Sequence, residues 1–227
     1  MAAPREVLSL IDRFNRHRDS YSQAGYKEAQ VCVEFIMPMF SALGWDVYNQ
    51  QGYAEAYKDV IHQHSLRTAS GIEAPDYCFR VGGTPKFFLE AKKPAVNVGS
   101  DVSPAYQLRR YAWTAKLPLS VLTDFEEFRF FDCTFKTDPG LVNNFVVLDW
   151  KYADFTDRFK ELWDIFEKEQ VAKGSLKSLY LNEKKIKHNR IPPDKAFLSD
   201  LDDDKTGWRI LLAKDIKKYN PELSAEF

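Results

Sequence analysis

The segment Lys86-Phe87-Phe88-Leu89-Glu90-Ala91-Lys92-Lys93 constrains the fold of this chain more than any other. Three consecutive bulky apolar residues predict a strand buried on both faces, because a half-exposed strand would alternate apolar and polar residues. Side chains alternate across a strand, so Phe88, Glu90 and Lys92 share one face while Phe87, Leu89 and Ala91 share the other. A carboxylate and an ammonium therefore point the same way from an inner strand, where unpaired charge is costly. Upstream, Asp76 to Val81 predicts a second strand, and Gly82-Gly83-Thr84-Pro85 the turn of a hairpin joining the two. If Asp76 starts that strand, antiparallel pairing brings its carboxylate beside Glu90 at one end of the sheet.

Two carboxylates and one ammonium suit phosphodiester hydrolysis. Mg²⁺ takes hard oxygen ligands, keeps several waters, and binds through one or two carboxylates plus substrate phosphate. Asp76 and Glu90 are the expected ligands. Lys92 is expected to orient or deprotonate the attacking water, or to place a point charge on the phosphate.

The remaining sequence supplies a scaffold. Apolar residues at helical spacing predict two opening helices, the first over residues 5 to 18 and the second from Tyr26 to Gly44. The second carries a stripe of Ala29, Val33, Ile36, Phe40 and Leu43, with Pro38 kinking its solvent side. Strands are expected over Trp45 to Tyr48, Leu119 to Leu122 and Glu127 to Phe131, and a crossover helix from Pro104 to Lys116. A further helix from Asp154 to about Ala172 presents Phe155, Phe159, Leu162 and Phe166. Beyond it lie a basic stretch from Lys184 to Pro193, an acidic turn from Asp200 to Asp204, and an amphipathic helix from Trp208 to Tyr219.

Composition bounds the function. The 227 residues fit one large domain plus an appendage, and 32 basic against 33 acidic side chains exclude a wholly basic coat. A polyanion must then bind a local patch. Cys32, Cys78 and Cys133 lack the close pairs of a zinc site or redox dithiol and read as reduced core thiols. There is no phosphate-binding Gly-x-x-x-x-Gly-Lys loop, no Gly-x-Gly-x-x-Gly and no Gly-x-Ser-x-Gly elbow. With no long apolar span and no leader pattern, a cytoplasmic protein without membrane contact is expected.

Pro75-Asp76, fourteen positions to Glu90, then Glu90-Ala91-Lys92 resembles the pattern of the PD-(D/E)xK nucleases. The likeness extends through Glu28-Ala29-Gln30, Phe35-Ile36-Met37-Pro38, Leu43-Gly44-Trp45-Asp46-Val47, the run from Gln50 to Tyr57, Phe88 to Pro94, and Gln107-Leu108-Arg109-Arg110-Tyr111. These segments resemble the amino-terminal nuclease domains of type I restriction subunits and type IIG restriction-modification fusions. The resemblance implies an α/β restriction-endonuclease-like core, a short mixed β-sheet flanked by helices, over residues 1–150. A helical extension, linker and connector helix would occupy 151–227.

The same resemblance implies a metal-dependent DNA endonuclease using Mg²⁺, with Mn²⁺ able to substitute. It adds Glu28 as a further acid at the metal, and helical-wheel geometry agrees by placing Glu28 on the flank of Cys32, Phe35 and Met39. It gives Gln107 and Tyr111, one helical turn apart, a supporting role. Lys93, Arg109 and Arg110 lie close in sequence to the site and are expected to meet DNA phosphates. Implied partners are double-stranded DNA, and methyltransferase and target-recognition modules in the same polypeptide or complex. The alternative is a non-catalytic DNA-binding or assembly module that keeps the nuclease fold.

Overall fold

Apolar periodicity changes from 3.6 to 2 near residue 60, and the architecture changes with it. The computed structural model describes residues 1–23, 25–68, 71–136 and 139–181. Helix α1 (Arg5–Tyr21) buries Val7, Leu10, Ile11 and Phe14. Next come α2 (Glu28–Val31), a π-helical turn (Cys32–Ile36) and α3 (Met37–Ala42). Strands β1 (Val60–His62), β4 (Tyr77–Val81), β5 (Thr84–Ala91), β6 (Leu119–Thr123), β7 (Glu127–Asp132) and β8 (Val146–Lys151) form one six-stranded sheet in that order, while β2 (Leu66–Thr68) and β3 (Gly71–Glu73) pair separately. Only β5 and β6 in the large sheet run parallel, and the crossover between them is α4 (Val102–Thr114). Asp101 caps α4 by accepting from Ser103 N at 3.0 Å. The chain continues with α5 (Phe155–Phe166), α6 (Lys168–Ala172) and α7 (Ser175–Leu181).

The result is an α/β fold, a mixed sheet between two helical layers. Phe87, Leu89 and Ala91 of β5 join a core with Phe14, Phe35, Phe40 and the α5 stripe Phe155, Phe159, Leu162 and Phe166. Phe88 faces the other way, into a core with Cys78, Leu108, Tyr111, Ala112 and Leu122. The three consecutive apolar residues of β5 are each fully buried, so β5 is the inner strand that its composition demands. All three cysteines are buried free thiols.

Several expected elements differ. Trp45 to Tyr48 forms turns, because the Asp46 carboxylate accepts from Gln50 N at 2.7 Å and Gln51 N at 2.9 Å and so closes the chain on itself. Trp45 is buried there, its indole donating to Phe166 O at 2.8 Å. In the second helical segment Val33 is 61% exposed, and the buried residues are Val31, Cys32, Phe35, Ile36, Met37, Met39, Phe40 and Leu43. The cause is the π turn just before Pro38, which inserts an extra residue per turn and rotates the stripe. Pro38 has no N–H for the carbonyl of Glu34, and that carbonyl instead accepts from the Arg13 guanidinium. The helix expected to run to Ala172 breaks at Glu167, whose side chain caps α6 by accepting from Gln170 N at 2.8 Å. Strand β8 spans the boundary expected at residue 150, and α5 packs on the same sheet. The basic stretch, the acidic turn and the terminal helix all lie outside the described residues. Among the described residues no helix is long and apolar enough to cross a membrane.

Candidate active site

The hairpin β4–β5 sets the site by its register. A two-residue turn of Gly82 (φ 56°) and Gly83 (φ 79°) joins Val81 to Thr84, both glycines in the left-handed region that this turn requires. Arg80 pairs with Pro85, but Phe79 pairs with Phe87, so Lys86 is an extra residue and a bulge. Pro85 stands beside the bulge, and Arg80 N, on the other edge of β4, donates to Asp59 O at 2.6 Å and continues the β1–β4 ladder by one residue. Beyond the bulge Tyr77 faces Leu89, and one further step sets Asp76 across from Glu90. Without the bulge that partner would be Leu89, and Asp76 would emerge on the opposite face.

Asp76 and Glu90 thus meet where β5 ends. Asp76 Oδ2 accepts from Ala91 N at 2.8 Å, which fixes its carboxylate against β5. Lys92 N donates to Thr123 O at 2.9 Å, continuing the parallel ladder one residue past β5. The Lys92 ammonium donates to Glu90 Oε1 at 2.8 Å and to Ala91 O at 2.7 Å, and lies 3.7 Å from Glu28 Oε2. Glu28 is half-buried and contributes from the first turn of α2, one turn before Cys32. The four predicted residues Glu28, Asp76, Glu90 and Lys92 are therefore brought together.

Electrostatics divide the group. Burial and then the Asp76 charge push the Glu90 carboxyl up to about 7, against the pull of Lys92. Burial also raises Glu28. Burial pulls Lys92 down, but Glu90, Glu28 and Asp76 together outweigh it and hold the ammonium above its ordinary value. One cation serves three carboxylates, so Lys92 gains from the arrangement and Glu90 does not. Glu90 Oε2 is buried without a hydrogen-bond partner among the described residues, an acceptor that a positively charged ligand would satisfy. No group of three or more His, Cys, Asp or Glu side chains among the described residues is arranged to hold a metal ion. The pair Asp76 and Glu90 is what the site offers, the smaller carboxylate set that suits Mg²⁺.

The other predicted residues divide. Gln107 and Tyr111 are hydrogen-bonded to each other on α4, and Tyr111 packs in the core that holds Phe88 and Cys78. Lys93 is half-buried beside the site and acts electrostatically on Glu28. Arg110 is half-buried, its guanidinium 5.8 Å from the Tyr111 ring centroid. Arg109 corrects the expectation of a phosphate contact: it is 1% exposed, donates to Asp132 O at 2.9 Å and Phe135 O at 3.2 Å, and lies 4.0 Å over the Phe145 ring. Its position on the inward side of α4 spends the guanidinium on the fold. Sequence reasoning missed Tyr77 and Cys32, which hydrogen-bond each other next to Asp76 and Glu28. Burial pushes that thiol up to about 11. The available signals were the four-residue spacing from Glu28 to Cys32 and the adjacency of Tyr77 to Asp76.

Known proteins resemble this sequence in part. Residues 59–138 match the family described as the type I restriction enzyme R protein N terminus. The type II restriction enzyme and methyltransferase RM.Eco57I of Escherichia coli is 34% identical over 225 residues, a match that takes in 97% of this chain. This chain spans only 22% of that protein's length. The crystal structure of the type IIG restriction endonuclease BpuSI matches over 63% of this chain and 17% of its own, with 19% identity and a TM-score of 0.37. By these two sequence matches, this chain is similar to restriction endonucleases: over residues 59–138 to the N terminus of type I restriction enzyme R proteins, and over 225 residues to a type II restriction enzyme and methyltransferase.

Proposed function

We propose that this chain is the nuclease domain of a restriction-modification system, a cytoplasmic enzyme unit that hydrolyses phosphodiester bonds of double-stranded DNA with Mg²⁺, or with Mn²⁺ in its place. The observation that carries the reading is the buried Glu90 Oε2, without a hydrogen-bond partner among the described residues and set beside Asp76. A carboxylate lifted to about 7 by burial and a like charge is disfavoured in its ionised form until a cation arrives. A purely structural module gains nothing from such an oxygen.

Asp76 and Glu90 would hold the ion, with Glu28 as a further acid beside Lys92. When bound, a divalent ion of this kind supplies charge neutralisation at the phosphate and a water of lowered pKa. Lys92 does the rest from the protein. Its Nζ is fixed by Glu90 and by its neighbour's carbonyl, so it presents a positioned positive charge to a phosphate oxygen or the attacking water. A cation held by three carboxylates is a poor base, which favours the orienting and point-charge roles over proton abstraction. Gln107 and Tyr111 support the face from α4. The relative's name pairs restriction with methylation, and this chain covers 22% of it, which supports methyltransferase and target-recognition modules elsewhere in a longer polypeptide.

The test is nicking of supercoiled duplex DNA by the full polypeptide in Mg²⁺ or Mn²⁺. Asp76→Asn keeps an acceptor for Ala91 N, and Lys92→Gln keeps a donor, so both should fold. Each is expected to lower the rate by about 10²–10³-fold. Wild-type cutting by both variants defeats the proposal.

A further inference from the structure

From the kinked carboxy-terminal end of α1 we infer a DNA-backbone contact surface beside the proposed active site; the inference rests on the nuclease reading for its choice of polyanion. The segment Arg13-Phe14-Asn15-Arg16-His17-Arg18 places three arginines and a histidine within six residues. Phe14 is the buried anchor, and Arg16, His17 and Arg18 are exposed. Arg13 is committed to the Glu34 carbonyl and to the Phe35 ring, 4.4 Å away. His17 departs from helical geometry (φ −126°, ψ 18°), so the last turn swings away from the line of the helix. The bend opens a polar groove of ≈ 480 Å³ lined by residues 15–20 and Tyr152, with Asp19 the acid among them.

The groove is built into the same end of the sheet as the carboxylates. Lys92 N bonds Thr123 O, and three residues on Glu126 pairs with Arg18. Tyr152 N donates to Glu126 O at 3.1 Å, while the Tyr152 hydroxyl bonds Asn15. One turn, residues 124–126, therefore ties the groove to the strand end that carries Lys92. The chain's net charge of −1 makes a local basic patch necessary for any polyanion. Arg18 is more than half exposed although its partner Glu126 is 17% exposed, so the guanidinium meets solvent on the side away from Glu126, where a phosphate oxygen can reach it. Guanidinium groups suit this partner, because their fork matches two phosphate oxygens. The contact follows the backbone and reads no base sequence.

The salt dependence of affinity for duplex DNA of arbitrary sequence tests this in the full chain, with EDTA present to suppress cutting. Each lost phosphate contact flattens the slope of log K against log salt by about 0.9, so Arg16→Gln with Arg18→Gln should flatten it by about 1.8. Affinity should fall equally for unrelated sequences. Glu126→Gln should tighten binding by freeing Arg18. Arg16 and Arg18 lie on the surface and Glu126 is part-buried, and an unchanged melting temperature in each variant confirms intact folding. A wild-type slope in the double variant overturns the inference while leaving the nuclease reading untouched. A flattened slope in a protein that never nicks DNA keeps the surface and removes the nuclease.

Discussion

Glu90→Gln should stabilise the ion-free protein at pH 8 while removing its hydrolytic activity. The folded-state carboxyl sits at about 7 against an ordinary value of 4.5. Between those values the native protein keeps a proton that the unfolded chain has released. Stability therefore falls as pH rises through this window, and the loss is complete above about 7. At about 1.4 kcal/mol per unit, the displacement corresponds to about 3 kcal/mol. Glutamine has the same size and never ionises, so the variant avoids this penalty. It gives up the charged bond to Lys92, but Lys92 keeps the Ala91 carbonyl at 2.7 Å and Glu28 at 3.7 Å. The net gain at pH 8 should then be about 1–3 kcal/mol, shrinking to nothing near pH 4.

Urea unfolding in EDTA from pH 4 to 8.5 measures it, and the difference between the two proteins is the quantity to read. Asp124 is also pushed up to about 7, by its burial, and imposes a slope of the same sign on both proteins. Lys92 contributes no slope here, because a cation held above its ordinary value loses its contribution only at alkaline pH. Adding Mn²⁺ at a hundred times its dissociation constant should raise wild-type stability by about 2.7 kcal/mol and leave the variant unmoved. Parallel pH curves for the two proteins would refute the reasoning, since Glu90 would then carry no strain.

Two further outcomes separate fold from function. Arg109→Ala should destabilise by about 2–4 kcal/mol, since buried carbonyls lose their donor, yet leave DNA affinity per folded molecule unchanged; thermal melting and a filter-binding titration decide this. Gly83→Ala would place a Cβ 2.6 Å from Ala56 O at φ +79°, so a loss of about 1–3 kcal/mol is expected in urea unfolding.

The site was legible in the sequence wherever strand parity decides. Phe88, Glu90 and Lys92 had to share a face, and the apolar run before them had to be inner strand. Burying three such side chains contributes about 5–9 kcal/mol, more than the roughly 3 kcal/mol that Glu90 opposes, so the carboxylate stays in. Asp76 was legible only conditionally, because its face depends on the count of residues between it and the turn. An unbulged ladder counted back from Gly82-Gly83 sets Asp76 opposite Leu89, on the wrong side of the sheet. The bulge at Lys86, beside Pro85, supplies the missing step and moves the register by one. The turn Gly82-Gly83-Thr84-Pro85 was visible in the sequence, whereas the bulge that follows it required the pairing itself. Arg109 failed for the related reason that a helix has no such parity across α4 without knowing which side meets the sheet. The same tertiary dependence hid the α1 groove, since exposure of Arg16 and Arg18 follows from the buried anchor Phe14, while their place beside Lys92 follows only from where the β6–β7 turn lands.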